Sequence, residues 1–461
     1  MIVPLVCRSL AVLGVLRALA GDTATRAPSL YAAPRLVVSP ETTLVDERVH
    51  LRATGLRPGA RVVVRSSMPI RGAMFRGEAV FVADANGNVD LDSMAPVQGT
   101  YRGADGMGVF WAMGPTKAPD IQASADTAGS WAPPAPFVVH FQLLVDSTVV
   151  ARASVVRRFM GEHVAMQRVD EPEVKAHLYL PTGSARLPLV VVLSGSEGGH
   201  DDLRASMLAS RGFAAMTIAY VGVPGTSAEL FEVPVEAVER GVAWAARHPR
   251  IDSARIAIMG ASKGAELALI AASRIPRLRA VVANAPTDAA AQGIDRNGRS
   301  RATSSWTWRG QPLPFVRQVP PPEFEAQFRQ HGPPYRLRIL YEASRRDTAS
   351  LRAAQIAVES VNGPILLVSG EDDQLTPSSE QAESIIARLK AHGFRHSAEH
   401  LRFTDAGHQI LLPYLPTLPR SAGQFWMMGG TPDGYLRADV ASWARTLEFL
   451  RTSLGADDPR R

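Results

Sequence analysis

The chain contains a single cysteine, Cys7, so no internal disulfide staples it, and cysteine usage says nothing about its compartment. Lysine is scarce: of the 50 Lys and Arg residues only Lys117, Lys175, Lys263 and Lys390 are lysine. No short window is dense enough in Lys and Arg to make a nucleic-acid patch. Beyond the N-terminal stretch, no run approaches the roughly 18 to 20 uninterrupted apolar residues that an integral membrane span requires. His-Glu-x-x-His, cysteine pairs and the phosphate-cradling Gly-x-x-x-x-Gly-Lys-Ser/Thr are all missing. "GSEGGHDD" places glycines after an apolar run but lacks dinucleotide spacing. A metal site is therefore not expected, and neither is a cofactor. Internal repeats and long low-complexity tracts are absent too, which argues against a solenoid or a disordered chain.

What is present is the balance of a core-forming globular protein: 461 residues, 46% hydrophobic and 20% charged, enough for two or three domains. The formal net charge of +6 comes almost wholly from arginine. It reflects either composition bias or an acidic ligand, such as a phosphate-bearing carrier, drawn in by a positive field. Residues 1–33 form an N-terminal segment. Its stretch "SLAVLGVLRALAGD" ends in Ala18-Leu19-Ala20, a pattern suited to signal cleavage. Arg17 interrupts the apolar run and the basic flank is thin. Export follows if residues 1–20 act as a signal peptide, and a cytoplasmic location otherwise.

Residues 34–160 have an all-β texture. Short alternating runs such as "RVHLRATG", "ARVVVRSS" and "FVVHFQLLVD" are separated by turns at Arg57-Pro58-Gly59 and Asn86-Gly87. This spacing predicts a β-sandwich, with Gly114 to Phe137 as a long surface loop. Over residues 161–461 the pattern changes. "VAMQRVDEPEVKAHLYLP" reads as a hairpin. Continuous apolar runs ("LPLVVVLSG", "RIAIMG", "LRAVVANAP", "GPILLVSG") then alternate with helical segments, as expected of a parallel sheet covered on both faces. From 292 to 362 Pro, Trp and Arg break the pattern, which predicts an excursion outside the sheet that acts as a lid.

One stretch carries chemistry. Gly260-Ala261-Ser262-Lys263-Gly264 fits Gly-x-Ser-x-Gly, with the strand "RIAIM" before it and the helix "AELALIAAS" after it. In a nucleophile elbow the flanking glycines remove Cβ atoms that would collide at a tight strand-to-helix turn. The serine hydroxyl then sits at the positive end of the following helix. Serine needs a base, and the chain order on such a fold is Ser, acid, His. "PILLVSGEDDQLTPSS" supplies the acid, with Asp373 preferred to Asp372 by its placement before an apolar residue and Pro. His408 in "HLRFTDAGHQILLPY" follows the last strand and is the expected base. His200 competes by position but has no acid placed to orient it. His392, His396 and His400 are expected to be exposed. For an oxyanion hole, one backbone N–H comes from Lys263. The other comes from the loop Gly195–Gly199, with Ser196 first and Glu197 second.

These residues and their surroundings resemble the acyl-CoA thioesterase and bile acid-CoA:amino acid N-acyltransferase family from about residue 35 onward. "GLRPGARVVVR", "ADANGNVDLDS" and "GMGVFWAMGP" are similar, in order, to that family's immunoglobulin-like N-terminal domain. "GASKGAELAL", "GPILLVSGEDD" and "AGHQILLPY" are similar to its α/β-hydrolase domain. The resemblance implies a triad of Ser262, Asp373 and His408 and an acyl-CoA or other acyl ester as substrate. Lys263 and the arginines around Arg296 to Arg309 are expected to form surface salt bridges, with contacts to CoA phosphates as the alternative. Trp306, Trp308 and Phe315 either line an acyl pocket or pin the lid. Two departures stand out. Amino-acid-conjugating members carry cysteine where this chain has Ser262, which favours hydrolysis. The oxyanion loop, often a run of glycines, reads "SGSEGGHD". The competing readings are a carboxylester or dipeptide hydrolase, acyl transfer to an amine, and a non-catalytic binding protein working through its β-domain. Acyl chain length and oligomeric state are not legible.

Overall fold

The computed structural model describes residues 32–70, 73–117, 135–295, 298–423 and 425–456. The candidate signal segment lies outside the described residues, as does most of the loop expected over 114–137.

The N-terminal part is a sandwich of two sheets. Arg35–Ser39, His50–Thr54 and Val89–Asp90 form one. The other is built around Thr148–Arg158, Phe137–Val145, Arg61–Ile70 and Ala73–Val82 in that spatial order, paired antiparallel. Apolar residues alternate along these strands, so each sheet turns one face inward. Leu51, Ala53 and Val89 from the first sheet meet Val62, Val64, Phe81 and Phe141 from the second in one core.

The larger part is built on a mixed sheet. Its strands are β1 (Val164–Glu171), β2 (Val174–Pro181), β3 (Leu187–Leu193), β4 (Ala214–Ile218), β5 (Ile251–Ala261), β6 (Leu278–Asn284), β7 (Ile365–Gly370) and β8 (Ala398–Phe403). They lie in the order β1-β2-β4-β3-β5-β6-β7-β8. The β1–β2 hairpin and the β2–β4 pair are antiparallel, and every later pair is parallel. The helices around it include α1 (Asp202–Ser210), α2 (Glu236–Ala246), α3 (Lys263–Ala272), α4 (Pro322–Gln330), α5 (Arg338–Ser344), α6 (Thr348–Ala354), α7 (Ser378–Ala391) and α8 (Pro432–Leu454).

The pleat explains why β3 is apolar throughout. Leu189, Val191 and Leu193 face α2, α3 and α7, while Val190 and Val192 face α1 and α8. Both faces are covered, so no position is left for a polar residue. The alanines of α3 allow it to be buried along its whole length. Thr431 caps α8 by accepting the Gly434 N–H at 3.0 Å. This layered sheet with helices on both sides is an α/β-hydrolase fold.

The two parts are joined by buried polar contacts. Arg211, at the end of α1, is 5% exposed and pairs with Asp46 and Glu47 of the sandwich. Trp443 of α8 donates its indole N–H to Asp46 at 2.8 Å, and the Thr417 N–H donates to the Trp111 carbonyl at 2.9 Å. Between β6 and β7 the chain leaves the sheet. Gln292–Ile294 pairs with Ser300–Ser304, Trp306–Trp308 joins Val233–Pro234, and α4 to α6 follow.

Candidate active site

The turn from β5 into α3 is sharply bent. Ser262 has φ +54° and ψ −120°, a left-handed backbone that L-residues rarely adopt. The two glycines are required by space. A Cβ at Gly260 would lie 2.1 Å from the Gly264 carbonyl oxygen, and one at Gly264 would lie 2.1 Å from that of Ser194. The Ser262 N–H donates to the Asn284 carbonyl at 2.8 Å, which ties the bend to β6. The side chain is thereby held at the N-terminus of α3, whose first amides have no acceptor within the helix.

His408 reaches this serine from the loop after β8. Its Nε2 lies 3.0 Å from Ser262 Oγ, and its Nδ1 lies 2.8 Å from Asp373 Oδ2. Asp373, after β7, is fully buried. Its Oδ1 accepts the N–H groups of Leu375 and Thr376, both at 2.9 Å, and its Oδ2 accepts the hydroxyls of Thr376 at 3.2 Å and Ser378 at 2.5 Å. Its neighbour Asp372 is exposed and caps the Gly430 N–H at 2.7 Å instead. Thr376 and Ser378 were not singled out in the sequence. Their signal is hydroxyl residues just beyond an aspartate, a common local bonding pattern.

Among the donor candidates, Ser196 lies exposed in the loop after β3, and Lys263 opens α3. The Lys263 side chain corrects the expectation of a phosphate contact or a surface salt bridge. It is buried, and its Nζ donates to Glu266 Oε2 at 2.9 Å and to Ser305 Oγ at 2.7 Å. A buried ammonium needs such partners, and both of these acceptors belong to the protein. Of the arginines, Arg296 lies outside the described residues. Arg301 pairs with Glu229 and Asp295, and Arg309 with Glu239 at 3.0 Å, as surface ion pairs. Trp306 is wholly buried and donates to Glu266 Oε1 at 2.6 Å, so it pins the excursion to α3. Trp308 stacks under Arg309, and Phe315 is half-buried.

Beside the histidine loop lies an aromatic cluster that the sequence did not reveal. The His408 N–H donates to the Met428 carbonyl at 2.9 Å, and Tyr335 bonds Phe425 and Met427 through its backbone. Phe324, Phe328, Tyr335, Phe425 and Trp426 pack against one another here, mostly edge-to-face or tilted, with Phe324 stacked on Trp426. Phe328 and Phe425 remain 41% and 45% exposed.

The other histidines are not part of this line. His392 and His396 are exposed. His400, expected to be exposed, is instead half-buried and bonded to Ser369 Oγ at 2.7 Å, because β8 packs it against β7. His200 stacks on His177 at 3.8 Å and bonds Thr217 Oγ1 at 2.8 Å. Burial, and then the nearby His177, push its pKa down to about 4 from an ordinary 6.5. The unfolded chain therefore binds a proton there that the folded chain refuses between those two values, and stability falls as pH drops through that window. His200→Gln is expected to flatten the decline of Tm over this range; an unchanged slope in thermal melts would refute the assignment.

Among the described residues no group of three His, Cys, Asp or Glu side chains could hold a metal ion, and no helix is long and apolar enough to cross a membrane.

Two family models match the chain: "Acyl-CoA thioester hydrolase/BAAT N-terminal region" over residues 46–171 and "BAAT / Acyl-CoA thioester hydrolase C terminal" over residues 233–456. The chain is 30% identical to mouse (Mus musculus) acyl-coenzyme A amino acid N-acyltransferase 1 over 437 residues, covering 91% of this chain and 98% of that protein. The chain belongs to the acyl-CoA thioester hydrolase/BAAT family. Mouse bile acid-CoA:amino acid N-acyltransferase is 29% identical over 92% of this chain and 98% of its own length. Mouse peroxisomal succinyl-coenzyme A thioesterase is 27% identical over 90% and 95%. As a member of this family the chain is an enzyme of thioesterase-like kind.

Proposed function

We propose that Ser262, His408 and Asp373 form a catalytic triad and that the protein hydrolyses acyl-CoA thioesters to free acid and CoA. The observation that carries this is the hydrogen-bonded line from Asp373 through His408 to a serine on a strained elbow. Ser262 Oγ attacks the thioester carbonyl carbon while His408 Nε2 takes its proton. Asp373 holds the imidazole by Nδ1 and stabilises the imidazolium. The amides of Ser196 and Lys263 receive the oxyanion. The C–S bond then breaks, and His408 returns the proton to the departing CoA sulfur. Water, deprotonated by His408, attacks the acyl-enzyme in the same geometry. Acid leaves and Ser262 regains its proton.

The aromatic cluster beside the His408 loop suits an apolar acyl group. Relatives that are N-acyltransferases make amine transfer the second reading. Ser262 speaks against it, because an oxygen-ester acyl-enzyme is a weaker acyl donor to amines than a cysteine thioester. We also infer that the sandwich over 34–160 is an immunoglobulin-like domain, that 161–461 is the catalytic domain, and that 292–362 forms a lid over it.

Thiol release from a panel of acyl-CoAs tests the main reading, with p-nitrophenyl esters in parallel and with taurine or glycine present. Free acid and CoA are expected in equal amounts. Amide product would replace hydrolysis by transfer. Ester turnover with no acyl-CoA turnover and no protection by CoA would make the enzyme a carboxylesterase.

A further inference from the structure

We propose that Tyr220 is a positioning residue that orients the Gly195–Ser196 peptide so that the Ser196 N–H faces the reacting carbonyl. This rests on the reading of Ser262 as nucleophile. Tyr220 lies two residues beyond β4 and is 2% exposed. Its hydroxyl oxygen is 2.8 Å from both the Ser194 and the Gly195 carbonyl oxygens. A phenol has one proton, so it is shared between these two acceptors as a three-centre bond.

The consequence follows from peptide geometry. In a trans peptide the N–H points opposite to the C=O of the same unit. Pinning the Ser194 carbonyl to Tyr220 turns the Gly195 N–H away from the phenol. Pinning the Gly195 carbonyl does the same for the Ser196 N–H. Two successive amides then point to one side, an arrangement that attracts anions. The first of them is taken: the Gly195 N–H donates to Glu197 Oε1 at 3.0 Å. Among the described residues the Ser196 N–H finds no protein acceptor.

This loop lies against the elbow, since Ser194 O touches Gly264 so closely that a Cβ there would be 2.1 Å away. The Tyr220 ring is itself braced from the elbow helix. Trp306 packs on it at 5.7 Å, and Trp306 is bonded to Glu266 of α3, the acid that also pairs with Lys263. One buried network therefore holds both proposed donors, the Lys263 amide at the start of α3 and the Ser196 amide across from it. Burial, with the nearby Glu197 charge adding, pushes the Tyr220 phenol well above its ordinary range, so it stays a donor.

Tyr220→Phe tests this, because it keeps the ring and removes only the O–H. We expect kcat to fall by roughly 10²-fold, the scale of losing one oxyanion donor, with KM little changed. Affinity for a boronic acid, which forms a tetrahedral adduct with serine, is expected to fall by the same factor. An unchanged kcat, or a fall in kcat with boronate affinity intact, overturns the proposal. Labelling of Ser262 by a fluorophosphonate in the wild-type protein separates the two readings. Without labelling the nucleophile assignment fails; with labelling and a neutral Tyr220→Phe, only the role of Tyr220 fails. If Tyr220→Phe is insoluble, Trp306→Phe, which loosens the brace without touching the loop, is expected to lower kcat and boronate affinity together, and a neutral result there overturns the proposal equally.

Discussion

Ser262→Ala is expected to lower kcat by about 10⁶-fold, the scale seen when a triad nucleophile is removed. The substitution deletes one oxygen and little else. The backbone at φ +54° is equally strained for Ala and Ser, so it brings no new steric conflict. The Ser262 N–H still reaches the Asn284 carbonyl, and both flanking glycines are untouched. Melting temperature should therefore hold while turnover collapses. His408 would retain its bond to Asp373 but face no hydroxyl. Steady-state thiol release on matched, folded samples makes the measurement. Retained turnover would remove the serine mechanism, and an unaltered biological activity would point to a binding protein that works through its sandwich.

Asp373→Asn is expected to reduce kcat by roughly 10⁴-fold, through the tautomer of His408. The reasoning lies in the donors around the carboxylate. Oδ1 accepts two backbone N–H groups, from Leu375 and Thr376, which cannot turn into acceptors. The asparagine oxygen must take that place. Its NH₂ then falls where Oδ2 was, against His408 Nδ1 and the hydroxyls of Thr376 and Ser378. The hydroxyls can rotate to accept. The imidazole must accept at Nδ1, which leaves its proton on Nε2, aimed at Ser262. A ring in that state donates to the serine and cannot take its proton. Asp372→Asn is the control. That carboxylate caps Gly430 and does not reach the imidazole, so activity within a few-fold of wild type is expected. The reverse ranking in kcat measurements would reassign the acid.

Local rules carried part of the site into the sequence. The elbow is readable because its requirement is steric and spans five residues. Gly260 and Gly264 are needed by contacts that any such turn must make. The strands β3, β5 and β7 are readable because sheets covered on both faces leave continuous apolar runs. The aspartate was harder. Glu371, Asp372 and Asp373 stand together, and only Asp373 turns inward to meet His408. Lys263 reads from the sequence as a surface ion pair, or else a phosphate contact, because nothing nearby in the chain signals that it is buried. Its partners, Glu266 and Ser305, are satisfied only when the excursion folds back on α3. His400 was misjudged because a histidine in an edge strand shows no sign of which neighbour will cover it.

By itself the sequence determined which backbone segments bend, alternate or run apolar, and so the layered sheet and a serine held on its tight turn. Those features depend on sterics and burial over a few neighbouring residues. Tertiary structure alone decided that Lys263 turns inward to Ser305, and that the Tyr220 hydroxyl meets the Ser194 and Gly195 carbonyls while Trp306, bonded to Glu266, packs on its ring. Each of these choices is a hydrogen bond or ring contact between groups dozens of residues apart. Their partners are set by how the strands are ordered, not by spacing along the chain.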